Sequence, residues 1–351
     1  MTVAGAGVLG LSTALRLAEA GAQVLVCDRA AWADNASGVA AGMLAPALET
    51  VLDAGGGGSP ELLLAARDLW PGRLAAIGYE DGLDRSGALM VGREAEAAAL
   101  EALAARMRAL GWSPEPLSQQ DLHALHPDLA VEARLGWRTR EDWRLSPTET
   151  LARLAAALEA LGGRLVRAPL TLGPAGARIA GEPAPGTLVV ATGAEAADLA
   201  GLVPELAALS PIKGQILHFR TGPHAGPVVR TLHGYVVPQA AGAVAGATME
   251  LGRNDRALDP EVLARLRGQA ATAFPHLAEA AAEGRAAVRA ATPDGLPLVG
   301  ASRAGPDLVL CTGARRNGWL LAPLAAEVVL RTLAGEDPGP AGAAFDPRRF
   351  G

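Results

Sequence analysis

The apolar positions change period twice within the first thirty residues. Residues 1–4 are a short, mostly apolar run, Leu11, Leu15 and Ala18 recur at helical spacing, and Gly21 follows as a helix stop. Val24, Leu25, Val26 and Cys27 are continuously apolar and are closed by Asp28. The pattern predicts strand, helix, strand. Residues 60–110 read as helical, with Leu62, Leu63, Ala66, Leu69 and Trp70 first and 95–110 after them. Residues 135–143 predict a strand pair, and 147–160 a helix capped by Ser146 with proline at its first position. A buried strand at 188–190 runs into a turn at Thr192 and Gly193, and 195–202 adds a short helix. Residues 216–219, 235–237 and 243–247, separated by turn residues, predict an antiparallel sheet. Residues 258–270 and 275–282 read as helical, 308–312 as a strand, and 317–333 as a last long helix. The four glycines 55–58 predict a surface loop.

The first strand and helix are joined by Gly5-Ala6-Gly7-Val8-Leu9-Gly10, a G-x-G-x-x-G. Its position between strand and helix, with Asp28 closing the next strand, makes it a dinucleotide-binding fingerprint. Gly5 permits the tight turn, Gly7 lets backbone approach a pyrophosphate, and Gly10 lets helix and strand pack closely. The amides of the helix N-terminus face the phosphates, and Asp28 accepts from a ribose hydroxyl. A glycine turn without a ligand is the competing reading. Further on, Ala40, Ala41 and Gly42 are small enough for backbone to lie against a flat ring, or for a buried helix turn.

Composition narrows the class. The 351 residues, 50% hydrophobic and 19% charged, imply two domains or one large α/β unit. A net charge of −6 argues against nucleic acid or an anionic membrane as partner. Cys27 and Cys311 cannot make a disulfide framework or a thiolate metal site. His123 and His126 could share a helix face, but no carboxylate completes a metal-ligand spacing, so solvent exposure and no metal are expected. No stretch reaches the roughly 18–20 apolar residues of a membrane span, and a cytoplasmic setting is the expectation. Lys213 is the only lysine.

The ordered motifs resemble a known family. The fingerprint, Ala40-Ala41-Gly42-Met43-Leu44-Ala45-Pro46, Lys213-Gly214-Gln215, Thr292-Pro293-Asp294-Gly295-Leu296-Pro297, and Arg316-Asn317-Gly318 before Leu320-Leu321-Ala322-Pro323 are similar to those of the glycine oxidases, within the D-amino-acid oxidase family. Together they span nearly the whole chain. The resemblance implies an α/β fold with a Rossmann-like FAD-binding domain of the glutathione-reductase type, assembled from 1–52, 141–206 and 285–351. Residues 53–140 and 207–284 would form an α+β substrate domain whose antiparallel sheet roofs the flavin. A nucleotide fingerprint at one end and a glycine-rich strand-turn-helix at the other independently favour such a split.

The implied activity is FAD-dependent oxidative deamination of glycine or another small amino acid, such as sarcosine or a D-amino acid. Hydride passes to the flavin, giving an imine or 2-oxo acid, ammonia and hydrogen peroxide, in the service of thiamine thiazole formation. The electron acceptor is oxygen or another oxidant, and a homotetramer is implied. Arg289, three residues before Thr292, would clamp the substrate carboxylate in a bidentate fork. Tyr235 would contact the same carboxylate, His233 and Met249 would line the pocket, and strand alternation puts His233 and Tyr235 on one face. Arg316 would lie near the flavin, which Gly313, Asn317, Gly318 and Trp319 would contact. Val8, Leu9, Arg29, Ser37, Ala41, Gly42, Met43, Thr192 and Gly193 complete the implied cofactor site, and FAD is expected to be noncovalent.

Two departures bear on the pocket. Ala314-Arg315 stand where the family commonly has His-Tyr, and Ala290 where it has proline. Pocket size, polarity and a preference for glycine are therefore open. The competing readings are an FAD-dependent dehydrogenase using an acceptor other than oxygen, a tRNA-modification or non-enzymatic flavoprotein module, and an NAD dehydrogenase.

Overall fold

The computed structural model describes residues 1–52, 58–173, 176–222 and 225–350. Of the glycine run 55–58 only Gly58 falls among them, so the predicted loop lies outside the described residues.

The strand-helix-strand start forms as read, with Thr2–Ala4, Val8–Glu19 and Leu25–Asp28. It sits in a six-stranded sheet of order Leu298–Ala301, Leu308–Thr312, Leu188–Val190, Thr2–Ala4, Leu25–Asp28, Arg164–Arg167. Five strands are parallel, and Leu298–Ala301 runs antiparallel at one edge. The first and last strands of the chain thus share one sheet, with Leu188–Val190 between them. Val8–Glu19, Pro147–Ala160 and Gly318–Ala334 cover it and share one apolar core with Leu11, Leu154, Leu321 and Val329. A strand set buried on both faces reads as near-continuous apolar runs, as 24–27 and 308–312 do.

The second sheet has nine strands. Along its path lie Glu250–Leu251, Ser210–Phe219, Gly242–Gly246, Gly234–Gln239, Val228–Thr231, Ala88–Gly92, Leu135–Thr139 and Glu115–Leu117, and Ala282–Ala291 pairs with Ser210–Phe219. It is antiparallel except where Val228–Thr231 meets Ala88–Gly92 in parallel. Five of its strands escaped the periodicity: Glu115–Leu117, Val228–Thr231 and Glu250–Leu251 are too short to display one, and Ala88–Gly92 and Ala282–Ala291 are hidden by their composition. Ala88–Gly92 is wholly buried, and its unbroken apolar run joined the helical pattern on either side. The helical reading of 275–282 takes in only the first residue of Ala282–Ala291 and the rest of the strand is left unassigned, because the run is alanine-rich and alanine is a poor strand former. Ten consecutive cross-strand pairs with Ser210–Phe219 override that preference, leaving only a short turn at Pro275–Ala278.

Three further expectations change. Residues 135–143 do not form a hairpin: Leu135–Thr139 joins the large sheet, while Trp143–Leu145 lies between Met43–Leu44 and Leu83–Asp84 in a separate three-stranded sheet. Ser146 precedes the helix Pro147–Ala160 without a capping hydrogen bond from its side chain. His126 is buried, not exposed, because its Nε2 meets the Pro227 carbonyl at 2.8 Å. Burial lowers its pKa, consistent with a neutral ring.

Candidate functional site

A cleft of about 970 Å³ opens beyond the carboxyl ends of the parallel strands, where open α/β sheets bind ligands. The glycine turn shapes its floor. A Cβ on Gly10 would stand 1.9 Å from the Gly5 carbonyl oxygen, so the helix can approach the strand this closely only with glycine there. Gly10 supports the turn from behind, whereas Gly5, Gly7, Val8 and Leu9 line the cleft. Asp28 and Arg29 line it too. The Asp28 carboxylate accepts the Ala6 amide at 2.7 Å and the Ala30 amide at 2.8 Å, which fixes it at the strand end.

Ser37 ties the turn to the rest of the site. Its Oγ accepts the Val8 amide at 2.9 Å, and its carbonyl accepts the Trp319 indole N–H at 3.1 Å. Asn35 holds this segment by accepting the amides of Ser37 and Gly38, both at 3.0 Å. Thr192, Gly193, Gly313, Arg316, Gly318 and Trp319 complete the lining contributed by predicted residues. The Thr192 hydroxyl is buried with no hydrogen-bond partner among the described residues. An orphaned hydroxyl beside a glycine cradle fits a ligand rich in hydroxyl and phosphate oxygens.

Two ion pairs stand on the cleft's rim. Arg29 pairs with Glu195 at 2.6 Å, and Arg256 pairs with Asp34. The second pair joins the loop after Leu25–Asp28 to the loop before the helix Pro260–Ala273.

A second cavity of about 310 Å³ adjoins the cleft, sharing Ala36, Ala40, Ala287, Arg289, Arg316 and Trp319 with it. Ala41, Gly42, Met43 and Asn317 line this pocket and not the cleft. The large sheet roofs it. Arg289 lies across Gly214 of the neighbouring strand, where a Cβ would come within 2.3 Å of Nη1. From there Nη1 donates to the Thr248 carbonyl at 3.3 Å and meets the Met249 sulfur at 3.5 Å. Tyr235 is also in the roof, and burial raises its pKa against the opposing pull of Arg289, Arg230 and Arg316, so the phenol stays protonated. His233 lies outside the strand Gly234–Gln239, with a side chain 56% exposed and 3.4 Å from Glu96. It reaches the rim of the pocket and does not share the strand face with Tyr235.

Sequence reading missed two residues at the centre of this pocket. Glu49, on the helix Pro46–Leu52, accepts from Nη2 of Arg230 at 3.0 Å and from Nη2 of Arg316 at 3.1 Å. Burial opposes its ionisation, but Arg316, Arg230 and Arg315 outweigh it and hold its pKa low. A charged residue inside the buried run Val228-Val229-Arg230 was the available signal. Behind Glu49, Asp142 accepts the Ala47 amide at 2.8 Å and the Leu48 amide at 3.2 Å, and burial pushes its pKa up to about 7.

The departures at 290 and 314–315 meet in space. The Arg315 amide donates to the Ala290 carbonyl at 2.8 Å, and Ala291 bridges Ala314. Ala314 and Arg315 face the cleft rather than the pocket, whose charged lining includes Glu49, Arg230, Arg289 and Arg316.

The family model for FAD dependent oxidoreductases matches residues 1–331. An oxidoreductase of Rhizobium etli assigned to thiamine biosynthesis, ThiO, is 33% identical over 96% of this chain and 97% of its own. The bifunctional protein ThiO/ThiG of a Nostoc species is 32% identical over 97% of this chain, which spans 53% of that longer relative. The crystal structure of glycine oxidase from Geobacillus kaustophilus is similar with a TM-score of 0.84, at 25% identity over 99% of this chain and 98% of that one.

Proposed function

The chain belongs to the D-amino-acid oxidase family of FAD-dependent oxidoreductases, and from that premise we propose that it oxidises the C–N bond of glycine or another small amino acid in the service of thiamine biosynthesis. It is an enzyme, and its cofactor is FAD. FAD, when bound, accepts the two electrons and the hydrogen that leave the α-carbon. Gly5, Gly7, Val8, Leu9, Asp28, Arg29, Ser37, Thr192, Gly193, Gly313, Gly318 and Trp319 would hold it along the cleft. Ala41, Gly42, Met43 and Asn317 would do so from the pocket side. The burial of Cys27 and Cys311, each with its thiol pKa pushed up to about 11, favours a noncovalent cofactor.

The observation that carries this reading is Arg289, laid over Gly214 beside Tyr235 where the two cavities join. A guanidinium there fixes a carboxylate in two directions and keeps its charge at every working pH. The protonated Tyr235 phenol donates to the same carboxylate. Glu49 is a poor proton acceptor because Arg316 and Arg230 hold it ionised, so the substrate amine enters already neutral. The rate then comes mainly from orientation. Met249 and the rim residue His233 limit the room around the α-carbon.

We place the FAD-binding unit at 1–52, 141–206 and 285–351 and the substrate unit at 53–140 and 207–284. The small sheet ties Leu83–Asp84 of the substrate unit to Trp143–Leu145 of the FAD-binding unit, while the membership of the two large sheets supports this division with one adjustment. Ala282–Ala291 runs through the boundary at 285, so the junction belongs at its end. A cytoplasmic homo-oligomer is part of the same reading. No single helix among the described residues is long and apolar enough to cross a membrane.

Anaerobic mixing of the flavin-loaded protein with glycine tests the function. Bleaching of the flavin absorbance, then recovery with peroxide release on admitting air, is the expected result. Bleaching without recovery in air would replace oxygen with another acceptor. An unbleached flavin with glycine, sarcosine and D-alanine alike would overturn the reading.

A further inference from the structure

Arg289 reaches the pocket with little to aim it. Among the described residues its guanidinium has two hydrogen-bond partners, on consecutive residues. Nη1 meets the Thr248 carbonyl at 3.3 Å and the Met249 sulfur at 3.5 Å. A thioether is a weak acceptor, so the carbonyl supplies most of the directional hold. Gly214, over which the side chain lies, offers no side chain to brace it.

That carbonyl lies where the register of the sheet lapses. Ser210–Phe219 pairs Ile216 with Gly246 and Lys213 with Glu250, so residues 247–249 stand opposite 214–215, one residue too many. Such a bulge loosens the ladder and re-aims the groups around it. Within it the Thr248 amide still donates to the Gln215 carbonyl, at 3.2 Å. Side chains supply the rest of the hold. The Thr248 hydroxyl accepts the Gln215 amide at 2.9 Å and donates to Glu250 Oε1 at 2.7 Å. Gln215 Nε2 donates to the same Oε1 at 2.8 Å, and the Gln215 Oε1 accepts the Asp259 amide at 2.9 Å.

One carboxylate oxygen therefore gathers the two side chains that span the bulge. Gln215 and Thr248 are buried, whereas the Glu250 side chain is 22% exposed. Burial opposes ionisation of Glu250, but the hydrogen bonds from Gln215 and Thr248 and the charges of Lys213 and Arg253 outweigh it and hold its pKa low. Without this carboxylate two donors inside the sheet lose their acceptor, and the bulge carbonyl loses its anchor.

We propose that Glu250 is a positioning residue for the carboxylate clamp: by holding Thr248 and Gln215 it fixes the Thr248 carbonyl, and that carbonyl aims Arg289. The inference rests on the amino-acid oxidation above and adds to it a residue that lines neither the cleft nor the pocket.

The test is the second-order rate constant of anaerobic flavin reduction by the best of glycine, sarcosine and D-alanine. It is measured in the wild type, Glu250→Ala, Glu250→Gln, Arg289→Met and the double variant of Glu250→Ala with Arg289→Met. Three results are expected. Glu250→Ala falls at least about tenfold, and Glu250→Gln, which keeps an acceptor oxygen, stays within about threefold of the wild type. Added to Arg289→Met, Glu250→Ala costs less than about threefold more, because a residue that acts through Arg289 has nothing left to aim. A merely structural role would repeat its full loss there. Failure of any of the three overturns the positioning role, while reduction of the wild type leaves amino-acid oxidation standing. A wild type reduced by none of the three amines overturns both. Where Glu250→Ala yields no flavin-loaded protein, Thr248→Val takes its place and Thr248→Ser that of the conservative variant, read by the same criteria.

Discussion

Arg289 reaches its position over a residue with no side chain. Because Gly214 leaves that space, the guanidinium lies flat against the sheet with its outer edge in the pocket. Arg289→Met should lower kcat/KM at least about 100-fold, about 3 kcal/mol of transition-state binding, with flavin content unchanged. Steady-state kinetics and the flavin-to-protein absorbance ratio check both halves, and unaltered turnover would remove the clamp. Arg289, Tyr235 and Met249 were legible because they sit in motifs whose order along the chain carries meaning. Glu49 and Arg230 were not, because each is an ordinary charged residue until a partner 181 positions away is folded against it. His126 erred the other way, since a helix pattern gives no sign of a carbonyl arriving from Pro227.

The helix Pro46–Leu52 shows the same logic one level up. It is short, and its first turn is capped from outside by Asp142 through the Ala47 and Leu48 amides. Burial pushes the Asp142 carboxyl up to about 7 in the folded chain, against 3.8 for the same group in water. Between those values the folded state holds a proton that the unfolded state has lost. Its contribution to stability is therefore complete below pH 4 and is lost as pH rises through 7, by on the order of 4 kcal/mol. Thermal melts from pH 4 to 8 should show this slope in the wild type relative to Asp142→Asn. Parallel curves for the two proteins would contradict it. Elements with a clean period were read to within a residue or two, as Leu308–Thr312 and Gly318–Ala334 show. Ala282–Ala291 was not, because its strand character comes from its partner rather than from its own residues.

Across the whole molecule, the strand order makes neighbours of segments that are far apart in the chain, and the motifs at its two ends already hinted at this. The Asp34–Arg256 pair is a different kind of link, from the nucleotide-side loop to the loop that follows the roof. Both side chains are about half exposed, so the pair adds little to equilibrium stability. Its place on the cleft rim gives it a kinetic role. Arg256→Ala should speed FAD release several-fold with a melting temperature within about 2 °C of the wild type. Recovery of free-flavin fluorescence after dilution measures the release, and an unchanged rate would show that the pair does not retain the cofactor.

The burial of Lys213 has a practical consequence. This is the sole side-chain amine in the protein, 1% exposed and held 2.7 Å from Asp255. An acylating reagent added to the folded enzyme finds no lysine at its surface, so mass spectrometry should show no lysine-borne label at short times. Each label that later accumulates on Lys213 records a molecule that opened the seam between Ser210–Phe219 and Glu250–Leu251. The protein therefore carries its own covalent counter of opening events, with a background of zero and a single channel to read.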